Sequence, residues 1–220
     1  MGTYIVLMGV QGAGKGTQAA RLQEELRIPH ITSGGLFRAM KSQDTPLARQ
    51  VQEIMARGDL VPDDITIQVV RARITQPDAQ AGFILDGFPR TVPQAQALDG
   101  LMQELGQALT AVLFLKITDE EAVRRLSGRR QCRQDESHIY HVEFNPPQVE
   151  GKCDIDGADL FQRQDDTPDA IRARIGQYYD KTAPLLDYYR ARGILYEVDA
   201  ARPIDAVTDG VLAAMQAIGK

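Results

Sequence analysis

The chain has no tryptophan, two cysteines, three histidines, and no apolar run close to the length that a bilayer demands. A membrane helix needs roughly 20 consecutive apolar residues. The first apolar stretch, Tyr4 to Met8, is far shorter and runs into glycine instead of a cleavage site. Neither a membrane span nor an export leader is expected, and the cytoplasm is the expected compartment. Cys132 and Cys153 are too few for a disulfide framework, and in a reducing compartment free thiols or metal ligands are the better reading. Positive charge is also short, with 25 Lys and Arg against 30 Asp and Glu. Such a chain lacks the basic, aromatic-rich face of a nucleic-acid module. Any site for an anion must therefore concentrate its arginines locally.

With 220 residues, 43% of them hydrophobic, the chain can bury a substantial core. Short apolar runs alternate with longer amphipathic stretches, the pattern of an α/β fold whose parallel sheet is covered by helices on both faces. Thr3 to Met8, His30 to Thr32, Phe83 to Leu85, Thr110 to Ile117 and Ile194 to Val198 read as its five strands. Thr118 with Glu121 forms a capping-box pattern opening one helix, and Thr167 before Pro168 opens another that is expected to run to about Arg192. Beyond Pro203, residues Ile204, Val207, Val211, Leu212 and Met215 make the inward stripe of a last helix. Two segments interrupt the rhythm. Residues 33–61 read as a helical insertion and residues 129–163 as a small β-rich one, leaving 1–32, 62–128 and 164–220 as the core.

Between the first strand and first helix lies Gly9-Val10-Gln11-Gly12-Ala13-Gly14-Lys15-Gly16-Thr17. Glycines let the backbone turn tightly and aim successive amides at phosphate oxygens. The helix N-terminus adds a favourable dipole, and a lysine can span two phosphates. Four glycines and a lysine in nine positions, in that context, exclude an ordinary turn. Ser or Thr usually follows the lysine; here Gly16 intervenes and the hydroxyl moves to Thr17, so a metal ion would depend more on water and a distant carboxylate. Asp86-Gly87-Phe88-Pro89-Arg90 closes the third strand, at the sheet edge where ligand-contacting residues gather.

The phosphate loop, Asp86 to Arg90, Gly128-Arg129-Arg130, Phe144-Asn145-Pro146-Pro147, Val149-Glu150-Gly151, and Arg163 with Asp165-Asp166 occur in the order found in adenylate kinases with a long lid, and the chain resembles that family over essentially its whole length. The resemblance implies reversible, Mg2+-dependent phosphoryl transfer from ATP to AMP, giving two ADP, by a monomer. It implies that Gly12, Ala13, Gly14, Lys15, Gly16 and Thr17 cradle the ATP phosphates, with Arg125, Arg129, Ile139, Tyr140 and Arg202 along the same nucleotide. AMP would be lined by Ser33, Arg38, Asp59, Leu60, Val61, Gly87, Phe88, Pro89, Arg90 and Gln94. Arg38, Arg90, Arg163 and Arg174 would hold the AMP phosphate and the transferred group, while Asp86 orients the water shell of Mg2+. The chemistry suits such a set, because a loose, metaphosphate-like group in flight needs positioning and charge, which arginine forks provide. No covalent enzyme intermediate is expected. Gln11 and Gly35 depart from the family's usual proline and aspartate.

Lids in this family occur in metal-bound and metal-free forms. Cys132 and Cys153 stand in the first and third ligand slots and Asp156 in the fourth. For the second slot, His138 is favoured over Asp135, since nitrogen and sulfur donors suit zinc. A metal-free polar lid and a Cys132–Cys153 disulfide are the alternatives. His30 and His141 read as local hydrogen-bonding or surface groups. Transfer to another nucleoside monophosphate or from GTP, an ATP-hydrolysing switch, and a metal-bearing nucleic-acid module are the competing functions.

Overall fold

The computed structural model describes residues 2–57, 60–135 and 138–218. In chain order these form β1 (Thr3–Met8), α1 (Lys15–Leu26), β2 (His30–Thr32), α2 (Ser33–Met40), α3 (Pro46–Ala56), α4 (Asp63–Ile74), β3 (Gly82–Asp86), α5 (Val92–Glu104), β4 (Ala111–Lys116) and α6 (Asp119–Ser127). They continue with β5 (Arg129–Cys132), β6 (Ile139–His141), β7 (Leu160–Phe161), α7 (Pro168–Lys181), α8 (Pro184–Ala191), β8 (Leu195–Asp199) and α9 (Ile204–Ile218).

Five parallel strands run in the order β2-β3-β1-β4-β8. Alternation along β1 divides its side chains between two cores. Ile5 and Leu7 pack with Leu22, Leu126, Ile171 and Val211 on one face, whereas Tyr4, Val6 and Met8 pack with Leu98, Leu185 and Tyr189 on the other. Burial on both faces explains why the central strands carry almost no polar residues. Because β3 and β4 flank β1, the loops leaving β1, β2 and β3 meet at one carboxyl edge, with Leu7 in register with Asp86. Helices α2 to α4 share a smaller core around Val51, Ile65 and Val69. Residues of the second insertion form a three-stranded antiparallel sheet, β6-β5-β7, with very little apolar filling.

Three local expectations need correction. The helix beginning at Pro168 stops at Lys181, and a new one starts at Pro184, which has no N–H to continue the ladder and suits the first turn of a helix. Thr167 stands at the N-cap position with extended backbone, but its side chain makes no capping hydrogen bond, unlike Thr118, whose Oγ1 accepts from the Glu121 N–H at 3.2 Å. Ile204 is 52% exposed and lies outside the inward stripe, where Val207 and Val211 are buried.

Candidate active site

At the end of β1 the chain must turn without side-chain obstruction. A Cβ on Gly9 would lie 2.5 Å from the Leu115 carbonyl oxygen, so the loop can pass β4 only with glycine there. Gly14, the N-cap of α1, has φ 87°, and its missing Cβ would point into open space. Lys15 opens the helix, and its Nζ donates to the carbonyls of Gly9 at 2.8 Å and Val10 at 3.0 Å. Burial lowers the Lys15 pKa, and Arg90, Arg174 and Arg129 lower it further, against the opposing pull of Asp86. These groups from three separate segments therefore act on one ammonium. Gly16 and Thr17 are exposed on the first turn, and Ala13 is buried beneath it.

Asp86 ends β3 beside β2. His30 Nε2 lies 3.7 Å from its Oδ2. Burial works against the Asp86 carboxylate charge, yet His30 and Lys15 outweigh it and hold the pKa below its ordinary value. His30 is a site residue that the sequence reading assigned to a local or surface role; its position on β2, one strand from Asp86, becomes evident only from the strand order. Beyond Asp86, the Phe88–Pro89 bond is cis. Arg90 Nε donates to the Gly87 carbonyl at 2.7 Å and its NH2 to Ser33 Oγ at 3.2 Å. Phe88 is buried in the core, so only its backbone faces the loop.

Three of the expected arginines gather at an acidic pair. Asp166, fully buried, accepts from Arg129 Nε at 2.8 Å and NH2 at 2.7 Å. Asp165 accepts from Arg163 Nε and NH2, both at 2.9 Å, and pairs with Arg174, whose NH1 lies 3.0 Å from its Oδ2 and donates to its backbone carbonyl at 3.1 Å. Arg174 NH1 also lies 3.7 Å from Asp166. The pair stood in the motif series without a role of its own, and its contacts join residues far apart in the chain.

The remaining positions are more dispersed. Arg125 bonds Glu121 at 2.7 Å on α6. Arg38 on α2, Leu60 and Arg202 are exposed, and Val61 is half-buried. Ile139 is 51% exposed, whereas the Tyr140 ring turns inward and its hydroxyl lies 3.5 Å from Cys153 Sγ. Asp59 lies outside the described residues. Gln94 is 5% exposed with both ends of its amide engaged by protein groups.

In the small sheet, Cys132, His138, Cys153 and Asp156 place one ligand atom each within 4.8 Å of one another. Cys132 Sγ lies 3.3 Å from both oxygens of Asp156. His138 Nδ1 lies 3.0 Å from Asp156 Oδ2 and 3.4 Å from Cys153 Sγ. Tetrahedral zinc, with bonds of about 2.0–2.3 Å, separates its ligands by roughly 3.3–3.8 Å, a range that includes the Cys132–Asp156 and Cys153–His138 separations. Asp135 Oδ2 lies 3.5 Å from His138 Nε2, behind the ring, where a carboxylate orients a metal-bound imidazole. The Ala158 N–H helps to hold Asp156 ionised, with a pKa of about 2. Burial opposes the Cys153 thiolate, but Tyr140 and backbone N–H donors prevail and lower its pKa; burial raises that of Cys132.

A glycine loop at a helix N-terminus, an arginine turn on the adjacent strand and further arginines converging on the same lysine define a P-loop phosphotransferase. The family model described as "Adenylate kinase" matches residues 7–194. The chain is 53% identical to an adenylate kinase of Salinispora tropica over 204 residues, covering 93% of this chain and 94% of the relative. It is 48% identical to adenylate kinases of Streptomyces coelicolor, covering 96% and 98%, and of Moorella thermoacetica, covering 98% of each. The chain belongs to the adenylate kinase family, the nucleoside monophosphate kinases that use ATP and AMP.

Proposed function

We propose that the chain transfers the ATP γ-phosphoryl group reversibly and directly to AMP, with cationic side chains supplying most of the stabilisation. The observation carrying this reading is Lys15 seated on the glycine loop, with Arg90 at the end of the adjoining strand and Arg129 and Arg174 gathered on the Asp165–Asp166 pair. Two anionic nucleotides must be brought together, and the travelling group is best stabilised by fixed positive charge in a site that excludes water. Gly12 to Thr17 with Lys15 cradle the ATP phosphates, and Arg129 reaches them from the lid. Arg90, Arg163 and Arg174 hold the AMP phosphate and the group in flight. Arg125, Ile139, the Tyr140 backbone and Arg202 follow ATP, whereas Ser33, Arg38, Leu60, Val61, Gly87 to Arg90 and Gln94 line AMP. Residues 33–61 and 129–163 close over the core and exclude water.

Mg2+ travels with the polyphosphate and neutralises its charge, Asp86 accepting from the ion's water shell. A carboxylate kept ionised beside Lys15 suits that role. In the lid, Cys132, His138, Cys153 and Asp156 hold a structural Zn2+, which stiffens a sheet with too little apolar filling to hold itself together. We infer a monomer, as the family resemblance implies, and among the described residues no helix is long and apolar enough to cross a membrane. We place the enzyme in the cytoplasm.

A coupled assay of ADP formation tests the assignment. Lys15→Ala and Arg90→Ala are expected to abolish transfer from ATP to AMP while the circular dichroism spectrum and melting transition persist. Wild-type rates in both folded variants would overturn the reading.

A further inference from the structure

The amide of Gln94 is held at both ends by groups of opposite and fixed character. Its Nε2 donates to Asp63 Oδ1 at 2.6 Å, and its Oε1 accepts from the backbone N–H of Arg90 at 2.7 Å. Asp63 is itself held, because the Thr91 hydroxyl donates to its other oxygen at 2.8 Å. An ionised carboxylate can only accept and a backbone N–H can only donate. An unrestrained glutamine amide can turn over and exchange its donor and acceptor ends, but this one cannot without setting a carbonyl against a carboxylate and an NH2 against an N–H. Asp63 begins α4 and Gln94 lies in the first turn of α5, so the restraint spans two elements that frame the acceptor side.

An amide has two N–H donors and two lone pairs, and the bonds above use one of each. One donor and one acceptor of fixed polarity remain. A 6-aminopurine offers a donor at its 6-position and an acceptor at N1. A 6-oxopurine offers the reverse, an acceptor at the 6-position and a donor at N1. A fixed amide can satisfy one of these edges and opposes the other, whereas a free amide turns over to suit either.

We propose that Asp63 is a specificity-determining residue, locking the polarity of the Gln94 amide so that the acceptor site takes 6-aminopurine monophosphates and rejects 6-oxopurine monophosphates. This rests on the reading that Gln94 lines the acceptor pocket. Asp63 acts through Gln94 and is a positioning residue. In an Asp63→Asn variant the side chain can either donate or accept toward Gln94, so the amide loses its fixed polarity, and Asp63→Ala removes the carboxylate altogether.

The test compares kcat/KM for AMP and for IMP, with ATP as donor, in the wild type, D63N, D63A and Q94A, each checked for a cooperative melt. The AMP:IMP ratio is expected to fall about tenfold or more in D63N and D63A, the value of roughly one hydrogen bond, with the change lying in KM rather than kcat. A purely structural role for Asp63 would instead lower both substrates together and leave the ratio alone. A ratio within twofold of wild type in folded D63N or D63A, while Q94A collapses it, refutes the lock. A ratio unchanged in Q94A as well removes Gln94 from the base and refutes the acceptor-pocket reading beneath it.

Discussion

Asp166 bears on stability and catalysis together, and its replacement by asparagine separates charge from shape. The carboxylate is fully buried and accepts two hydrogen bonds from Arg129, with Arg174 close by. Asparagine keeps one acceptor oxygen but presents an NH2 to a guanidinium that can only donate. One charge-assisted bond is lost, about 1.5–3 kcal/mol, and breaking a wholly buried ion pair costs about 3–5 kcal/mol. The Arg129 side chain is 23% exposed, so water can take over part of its solvation, and the lower part of that range applies. A loss of about 2–3 kcal/mol is expected, lowering Tm by roughly 5–10 °C for a chain of this size. Asp165, 39% exposed, provides the comparison: Asp165→Asn should cost less than about 1 kcal/mol. The activity of D166N should fall by about tenfold or more, since each 1.4 kcal/mol of lost stabilisation in the transition state is tenfold in rate. Thermal and urea unfolding of both variants, with coupled ADP assays, decide the matter. A D166N protein within about 0.5 kcal/mol of wild type, or no less stable than D165N, would refute the view that this carboxylate anchors the arginine cluster.

Gly14→Ala should cost only the left-handed backbone penalty, about 1–2 kcal/mol, because its Cβ would meet nothing within 4 Å, yet it should reduce kcat/KM for ATP by placing a methyl group at the loop mouth. Gly9→Ala, whose Cβ would strike a backbone carbonyl, should be the less stable of the two by thermal melt. Protein purified without added zinc should contain about one equivalent of transition metal, lost in Cys132→Ser; less than roughly a tenth of an equivalent in the wild type would defeat the lid site. Asp86 has a lowered pKa in the fold, so its contribution to stability is fully present above the ordinary carboxylate value of about 3.9 and is lost as pH falls through the lower folded value. The Tm difference between wild type and Asp86→Asn should therefore be constant at pH 5–7 and shrink in acid, and a difference that persisted at pH 2 would contradict this.

Features that depend on neighbours in the chain were legible in the sequence. The five strands are short, near-continuous apolar runs because both faces of the sheet are covered, and the phosphate loop depends on glycines at successive positions. The break at Pro184 is equally local, but the apolar spacing masks it by continuing across into Leu185 and Tyr189, both buried. Contacts made by strand order or by side-chain direction were not legible. His30 meets Asp86 because β2 pairs with β3. The resemblance sets Tyr140 along ATP, but the alternation of β6 turns its ring into the lid, beside Cys153, and leaves Ile139 outward. Donor chemistry favours His138 over Asp135, but the arrangement of the two is not legible in the spacing: His138 Nδ1 faces the cluster, and Asp135 stands behind the ring at Nε2.

A site that concentrates so much positive charge must remain folded without nucleotide, and the internal partners show how. Lys15 rests on two loop carbonyls, Arg90 on Gly87, Arg129 on Asp166, and Arg163 with Arg174 on Asp165. These partners do not exhaust the cations. Arg129 and Arg163 each spend Nε and NH2 on an aspartate, leaving NH1 of a guanidinium that carries five N–H donors. The aspartates therefore fix the plane of each fork while one edge stays available to phosphate. Lys15 differs, because its ammonium has no plane to be fixed and its partners are neutral carbonyls that an anionic phosphate outcompetes. Binding should accordingly redirect Lys15 while the buried Arg129–Asp166 pair persists, which makes Asp166 part of the scaffold that presents the arginines.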